Sequence, residues 1–107
     1  MTDKFVVLVT CGSAKEARRI AKAVVEQKLA ACVSILGARV HSIYRWKGRV
    51  ESARECLLVM KTSRRRFGLL QKKIEQLHSY DVPEIIALPI VAGTRGYLAW
   101  IADSVRS

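Results

Sequence analysis

The segment His78-Ser79-Tyr80-Asp81-Val82-Pro83-Glu84 places an imidazole, a phenol and two carboxylates within seven residues. Pro83 fixes its own backbone and restricts that of Val82, so these groups sit on a stiffened connection between an apparent helix and an apparent strand. Ionisable groups held between rigid elements are where binding and chemistry concentrate. The plain alternative is a helix exit whose polar residues face water. Softer donors lie elsewhere: Cys11, Cys32, Cys56 and His41. A site for a soft or borderline metal ion wants imidazole or thiolate. No CxxC or HxxH spacing joins two of them, so such a site must be assembled by the fold or between copies of the chain.

The elements that must position these groups follow from periodicity. Phe5-Val6-Val7-Leu8-Val9 is an unbroken apolar run, the pattern of a strand covered on both faces. Ser13 and Glu16 form a capping-box signal for a first helix, whose Ala17, Ile20, Ala21 and Val24 recur at helical spacing. A second strand region runs from Ala31 to Trp46 with an interruption at Gly37. Lys47-Gly48 turns the chain into a third, from about Arg49 to Thr62. Ser63 caps a second helix with Phe67, Leu70, Ile74 and Leu77 along one stripe, and Ile85 to Val91 form a fourth strand. Pro89 marks that strand as an edge. Thr94 caps a closing helix with Tyr97, Leu98 and Ile101 turned inward.

The order βαββαβ plus a terminal helix predicts an α+β, ferredoxin-like split-βαβ domain over residues 1–107, with an antiparallel sheet in the order 4-1-3-2. Right-handed crossovers put both main helices on one face. The other face stays apolar and uncovered, and the long second and third strands overhang the domain as a ribbon. Both features predict self-association.

Size and charge narrow the class. The 107 residues fit one domain, half of them hydrophobic, and no apolar run reaches membrane-spanning length. Three cysteines in apolar surroundings fit reduced thiols, and the chain reads as cytoplasmic. Nineteen Lys and Arg against nine Asp and Glu give a net charge of +10, which attracts polyanions. Arg64-Arg65-Arg66 is the one tight cluster, at a helix N-terminus where anions are welcome. No nucleic-acid signature accompanies it, so nucleic acid is expected to bind only non-specifically at low salt.

Three segments read together resemble the CutA family of divalent-cation (copper) tolerance proteins: Lys28-Leu29-Ala30-Ala31-Cys32-Val33, Ser42-Ile43-Tyr44-Arg45-Trp46-Lys47-Gly48 and His78 to Ile85. Leu57 to Thr62 and Leu88-Pro89-Ile90 fit as well, so the likeness covers nearly the full chain. The family's third motif usually reads His-Pro-Tyr-Glu/Asp-Val-Pro-Glu. Ser79 stands here in place of the first proline, which predicts a less rigid connection. Lys47 stands where Glu is common, removing one carboxylate. The resemblance implies a tight trimer similar to PII signalling proteins, a divalent metal ion, copper first, as ligand, and no catalytic reaction.

Cys32 and His78 fall on motif positions and are the first candidate metal ligands, with Asp81 and Glu84 suited to harder cations. Cys32 also reads as a small core residue, and His78 as a hydrogen-bonded helix end. Tyr44, Trp46 and Tyr80 are expected in a cleft or subunit interface, and Glu55 and Lys61 in cross-strand or intersubunit ion pairs. Two other classes stay open. A PII-like trimer could sense a small anion or nucleotide through Arg and Lys, although no Gly-rich phosphate loop is present. Cys11-Gly12-Ser13, where a strand meets a helix N-terminus, could activate a thiol, but no base lies beside it in sequence.

Overall fold

The computed structural model describes residues 2–106. Along the chain run β1 (Lys4–Cys11), α1 (Ala14–Glu26), β2 (Cys32–Trp46), β3 (Arg49–Ser63), α2 (Arg64–Leu77), β4 (Ile85–Pro89) and α3 (Arg95–Ser104). The strands make one antiparallel sheet in the order β2-β3-β1-β4. This is the ferredoxin-like arrangement that the element order predicts, with the Pro89-bearing strand at an edge.

Local chemistry sets the boundaries. Ser13, Ser63 and Thr94 each accept a hydrogen bond from the backbone N–H three residues on, satisfying a donor that the first helical turn leaves free. Lys47 and Gly48 both take positive φ (51° and 79°) in the two-residue link between the paired residues Trp46 and Arg49. That geometry matches the twist of the flanking strands. The interruption at Gly37 is a register shift between Leu36 and Val40. Two expectations are corrected. β4 ends at Pro89 rather than Val91, although the Ile90 N–H still donates to the Lys4 carbonyl at 2.9 Å. Tyr97 points outward, 43 % exposed, since Leu98, Ile101 and Val105 share the inward stripe of α3.

Alternation assigns the two faces of the sheet. Val7, Val9 and Cys11 of β1 and Cys56, Leu58 and Met60 of β3 are fully buried. They pack in one core with Ala17, Ile20 and Val24 of α1 and Leu70 and Ile74 of α2. The intervening residues Val6, Leu8, Leu57 and Val59 are half-buried and face the other way, away from α1 and α2, beside the exposed Ile86 and Leu88. Pairing between β1 and β3 stops at Cys11 and Cys56, so Arg49 to Glu55 and their β2 partners run about 23 Å beyond the compact part. The chain accordingly extends 44 × 25 × 22 Å.

Candidate functional site

The root of that overhanging hairpin meets the His78–Glu84 connection in a cleft of about 680 Å³. Alternation along the hairpin turns Ser42, Tyr44 and Trp46 of β2 and Glu51 and Glu55 of β3 to its wall, and the connection supplies Tyr80, Asp81 and Glu84. Four of the nine carboxylates of the chain thus border one cleft. Among the described residues no Lys or Arg joins them on that wall.

His78 anchors the connection. It ends α2, and its buried ring carries a hydrogen bond on each nitrogen. Nε2 lies 2.8 Å from the Thr10 carbonyl, and Nδ1 is 3.1 Å from the Tyr80 backbone N–H. A carbonyl can only accept and an N–H can only donate, so the ring is the neutral tautomer with its proton on Nε2. Glu16 Oε2 stands 3.8 Å from Nδ1, and that approach is not an ion pair while Nδ1 serves as an acceptor. The Glu16 carboxylate binds the Ser79 N–H (2.7 Å) and the Ser79 hydroxyl (3.1 Å) instead. Burial opposes the charge of Glu16, but these bonds outweigh it and hold its carboxyl below the ordinary value. Ser79, expected to loosen the connection, therefore fastens it to α1 with two hydrogen bonds that a proline could not donate.

Tyr80 carries the link into the cleft. Its hydroxyl donates to Glu55 Oε2 at 2.8 Å, and Glu55 is only 7 % exposed. Burial, joined by the Glu55 carboxylate, pushes the Tyr80 phenol far above its ordinary range, so it stays a donor. The partner of Glu55 is thus a phenol rather than a cation. Lys61 lies six residues along β3, paired with Val6 and Cys32.

Cys32, His41 and His78 do not converge. Cys32 is level with Lys61 and Val6, while His78 binds Thr10, about 13 Å farther along β1 and on the far side of β3. Cys32 Sγ is 3.6 Å from the Tyr97 hydroxyl, and exposed His41 opposes Arg54. The arginine cluster also divides: Arg64 stacks on Phe5, Arg66 Nε donates to the Val105 carbonyl, and Arg65 lines a separate hollow of about 210 Å³ with Lys4 and Arg106. Among the described residues, no three His, Cys, Asp or Glu side chains group closely enough to hold a metal ion. Glu51 was missed at sequence level, although the alternation Glu51-Ala53-Glu55 opposite Tyr44 and Ser42 carried the signal.

Comparison with known proteins agrees with this architecture. The sequence model described as CutA1 divalent ion tolerance protein matches residues 5–104. The divalent-cation tolerance protein CutA of Thermus thermophilus is 50% identical over 99 residues, 92% of this chain and 95% of that protein. Human protein CutA is 41% identical over 92% of this chain, which spans 55% of the human protein. Among solved structures, the divalent cation tolerance protein of T. thermophilus superposes with a TM-score of 0.93 at 48% identity, over 96% of this chain and 99% of that one. CutA of Xylella fastidiosa gives 0.95 at 32% identity, over 98% and 100%. The chain belongs to the CutA1 divalent ion tolerance protein family.

Proposed function

We propose that this chain is a non-catalytic protein that binds divalent cations in the cytoplasm as a homotrimer, with the acidic cleft as the cation site. The observation that carries this is the sorting of charge. A chain of net charge +10 keeps four of its nine carboxylates on one wall. At physiological ionic strength the positive surface is screened beyond about 8 Å, whereas a cation in the cleft meets the carboxylates directly. Carboxylate and phenol oxygens suit hard divalent ions. Because no three ligands stand together among the described residues, closure of the side chains, water or a second copy must complete the coordination. Copper, the ion expected from the sequence, finds both His78 nitrogens engaged, so its route here is Asp81 and Glu84. The same acidic wall disfavours the phosphates of a nucleotide. Cys11, Cys32 and Cys56 form no disulfide, which supports a reducing compartment.

The trimer is supported by the uncovered apolar face and the overhanging ribbon. A ribbon docking on a different patch of the next copy is a head-to-tail contact, which closes only as a ring of three or more. Its pooled charge would draw duplex DNA non-specifically, an attraction that collapses between about 50 and 200 mM salt. Calorimetric titration with manganese(II) and copper(II) tests the cleft. Asp81→Asn with Glu84→Gln should weaken binding about tenfold or more, while Cys32→Ala leaves it unchanged. Undiminished affinity in the double variant would reject the cleft as the site.

A further inference from the structure

The cleft between the hairpin root and the His78–Glu84 connection holds more than carboxylates. Tyr44 and Trp46 of β2 and Tyr80 of the connection line it as well, and all three rings are partly exposed. The carboxylates of Glu51, Glu55, Asp81 and Glu84 share the wall without converging. Among the described residues no three His, Cys, Asp or Glu side chains group closely enough to hold a metal ion. The cavity of about 680 Å³ has the volume of a small organic ligand rather than of one ion. Glu55 is only 7 % exposed, and its hydrogen bond comes from the Tyr80 phenol. Among the described residues no Lys or Arg pairs with it. We propose that this cleft takes a small protonated polyamine, with ammonium groups on the separated carboxylates and the methylene stem against the Tyr44, Trp46 and Tyr80 rings. This rests on the reading of the cleft as the cation site, and names the class of organic cation that competes with a metal ion there.

Geometry and charge both select that class. A metal ion needs its donors gathered at one point, whereas charges spread along a flexible chain match acceptors spread along a wall. A terminal ammonium carries three donors and no acceptor, and the wall offers carboxylate and hydroxyl oxygens to receive them. A cation also gains from the face of an aromatic ring within about 6 Å of its centroid. The Trp46 ring already serves in this way, since the Lys47 ammonium lies over it at 6.0 Å. Anionic ligands are repelled by the same wall, and an uncharged one leaves the buried Glu55 carboxylate without a counter-charge. The chain as a whole, at +10, repels a polycation, so binding at physiological salt reads the local charge of the cleft and not the average surface.

The test is calorimetric titration of the full-length chain with spermidine at about 150 mM salt, alone and in competition with manganese(II). One spermidine per chain should bind and should displace the metal ion. Glu51→Gln with Glu84→Gln should weaken spermidine about tenfold or more. Trp46→Leu should weaken it about threefold while leaving manganese(II) affinity unchanged, and Trp46→Phe should lose less. Because Trp46→Leu also removes packing from the hairpin, proton NMR of the wild type gives a second reading: spermidine methylenes should show contacts with the Trp46 and Tyr44 rings. Spermidine binding without manganese(II) binding would reject the metal reading of the cleft and leave the polyamine site standing. Manganese(II) binding with no spermidine bound would overturn the polyamine site alone. Undiminished spermidine affinity in the Glu51 and Glu84 double variant, or wild-type spectra without ring contacts, would overturn it as well.

Discussion

The two faces of the sheet carry similar apolar residues and meet opposite fates. On the helix side, Val7, Val9, Leu58 and Met60 are fully buried beneath α1 and α2. On the other side, Ile86 and Leu88 remain 49 % and 50 % exposed, beside Val6, Leu8, Leu57 and Val59. Alternation within a strand distributes apolar residues to both sides but does not say what covers them. Here α1 and α2 both cover one face, while α3 reaches the other only near Lys4 and Cys32 and leaves Ile86 and Leu88 exposed. The acidic cleft opens on that same side, so its carboxylates and the exposed Ile86 and Leu88 share one face of the sheet.

The sharpest way to break this contrast is to truncate each face in turn. Leu58→Ala or Ile74→Ala should cost about 2–5 kcal/mol of unfolding free energy in urea, because a sealed core cannot collapse around the void. Leu88→Ala, measured at concentrations where the chain is dissociated, should cost less than about 1 kcal/mol, since the side chain already meets water. Equal losses would erase the distinction between the faces.

The connection gives the next effect. Glu16→Ala leaves the Ser79 N–H and hydroxyl without their acceptor and should cost about 1–3 kcal/mol. The pH dependence has a definite sign. The folded carboxyl titrates below its ordinary value of 4.5, so its contribution is fully present above that value and is lost as pH falls through the lower, folded value. Glu16→Gln should therefore flatten the acid limb of the stability curve, read by thermal melts between about pH 3 and 6. An unchanged acid limb would remove Glu16 from the frame that holds the cleft. A smaller effect is expected for Tyr80→Phe, about 1 kcal/mol from the lost bond to Glu55, with a weaker response of the cleft to added cation.

Most of the fold was legible because its determinants are local. Two-faced apolar runs, three capping residues, the Lys47-Gly48 turn and Pro89 each state a backbone requirement within a few positions. The site was less legible because its determinants are long-range. Ser13 and Glu16 read as a reciprocal capping box, yet Glu16 reaches Ser79 across the fold and only the serine half forms. His78 read as a ligand or a helix end, and its engagement depends on Thr10, 68 positions away. The Cys11–Cys56 pairing needed the strand register, which apolar patterning alone leaves free to slip. Tyr97 was placed inward by helical spacing, but Leu98 and Ile101 occupy that stripe and leave it at the surface.

The uncovered face can be tested directly by multi-angle light scattering of the purified chain at micromolar concentration. The mass should be three times the 12.0 kDa of one copy, and Ile86→Asp with Leu88→Asp should reduce it to that of the single chain. A wild-type mass of 12.0 kDa would contradict the claim that this face is completed by other copies, and with it the idea that the cleft matures on assembly.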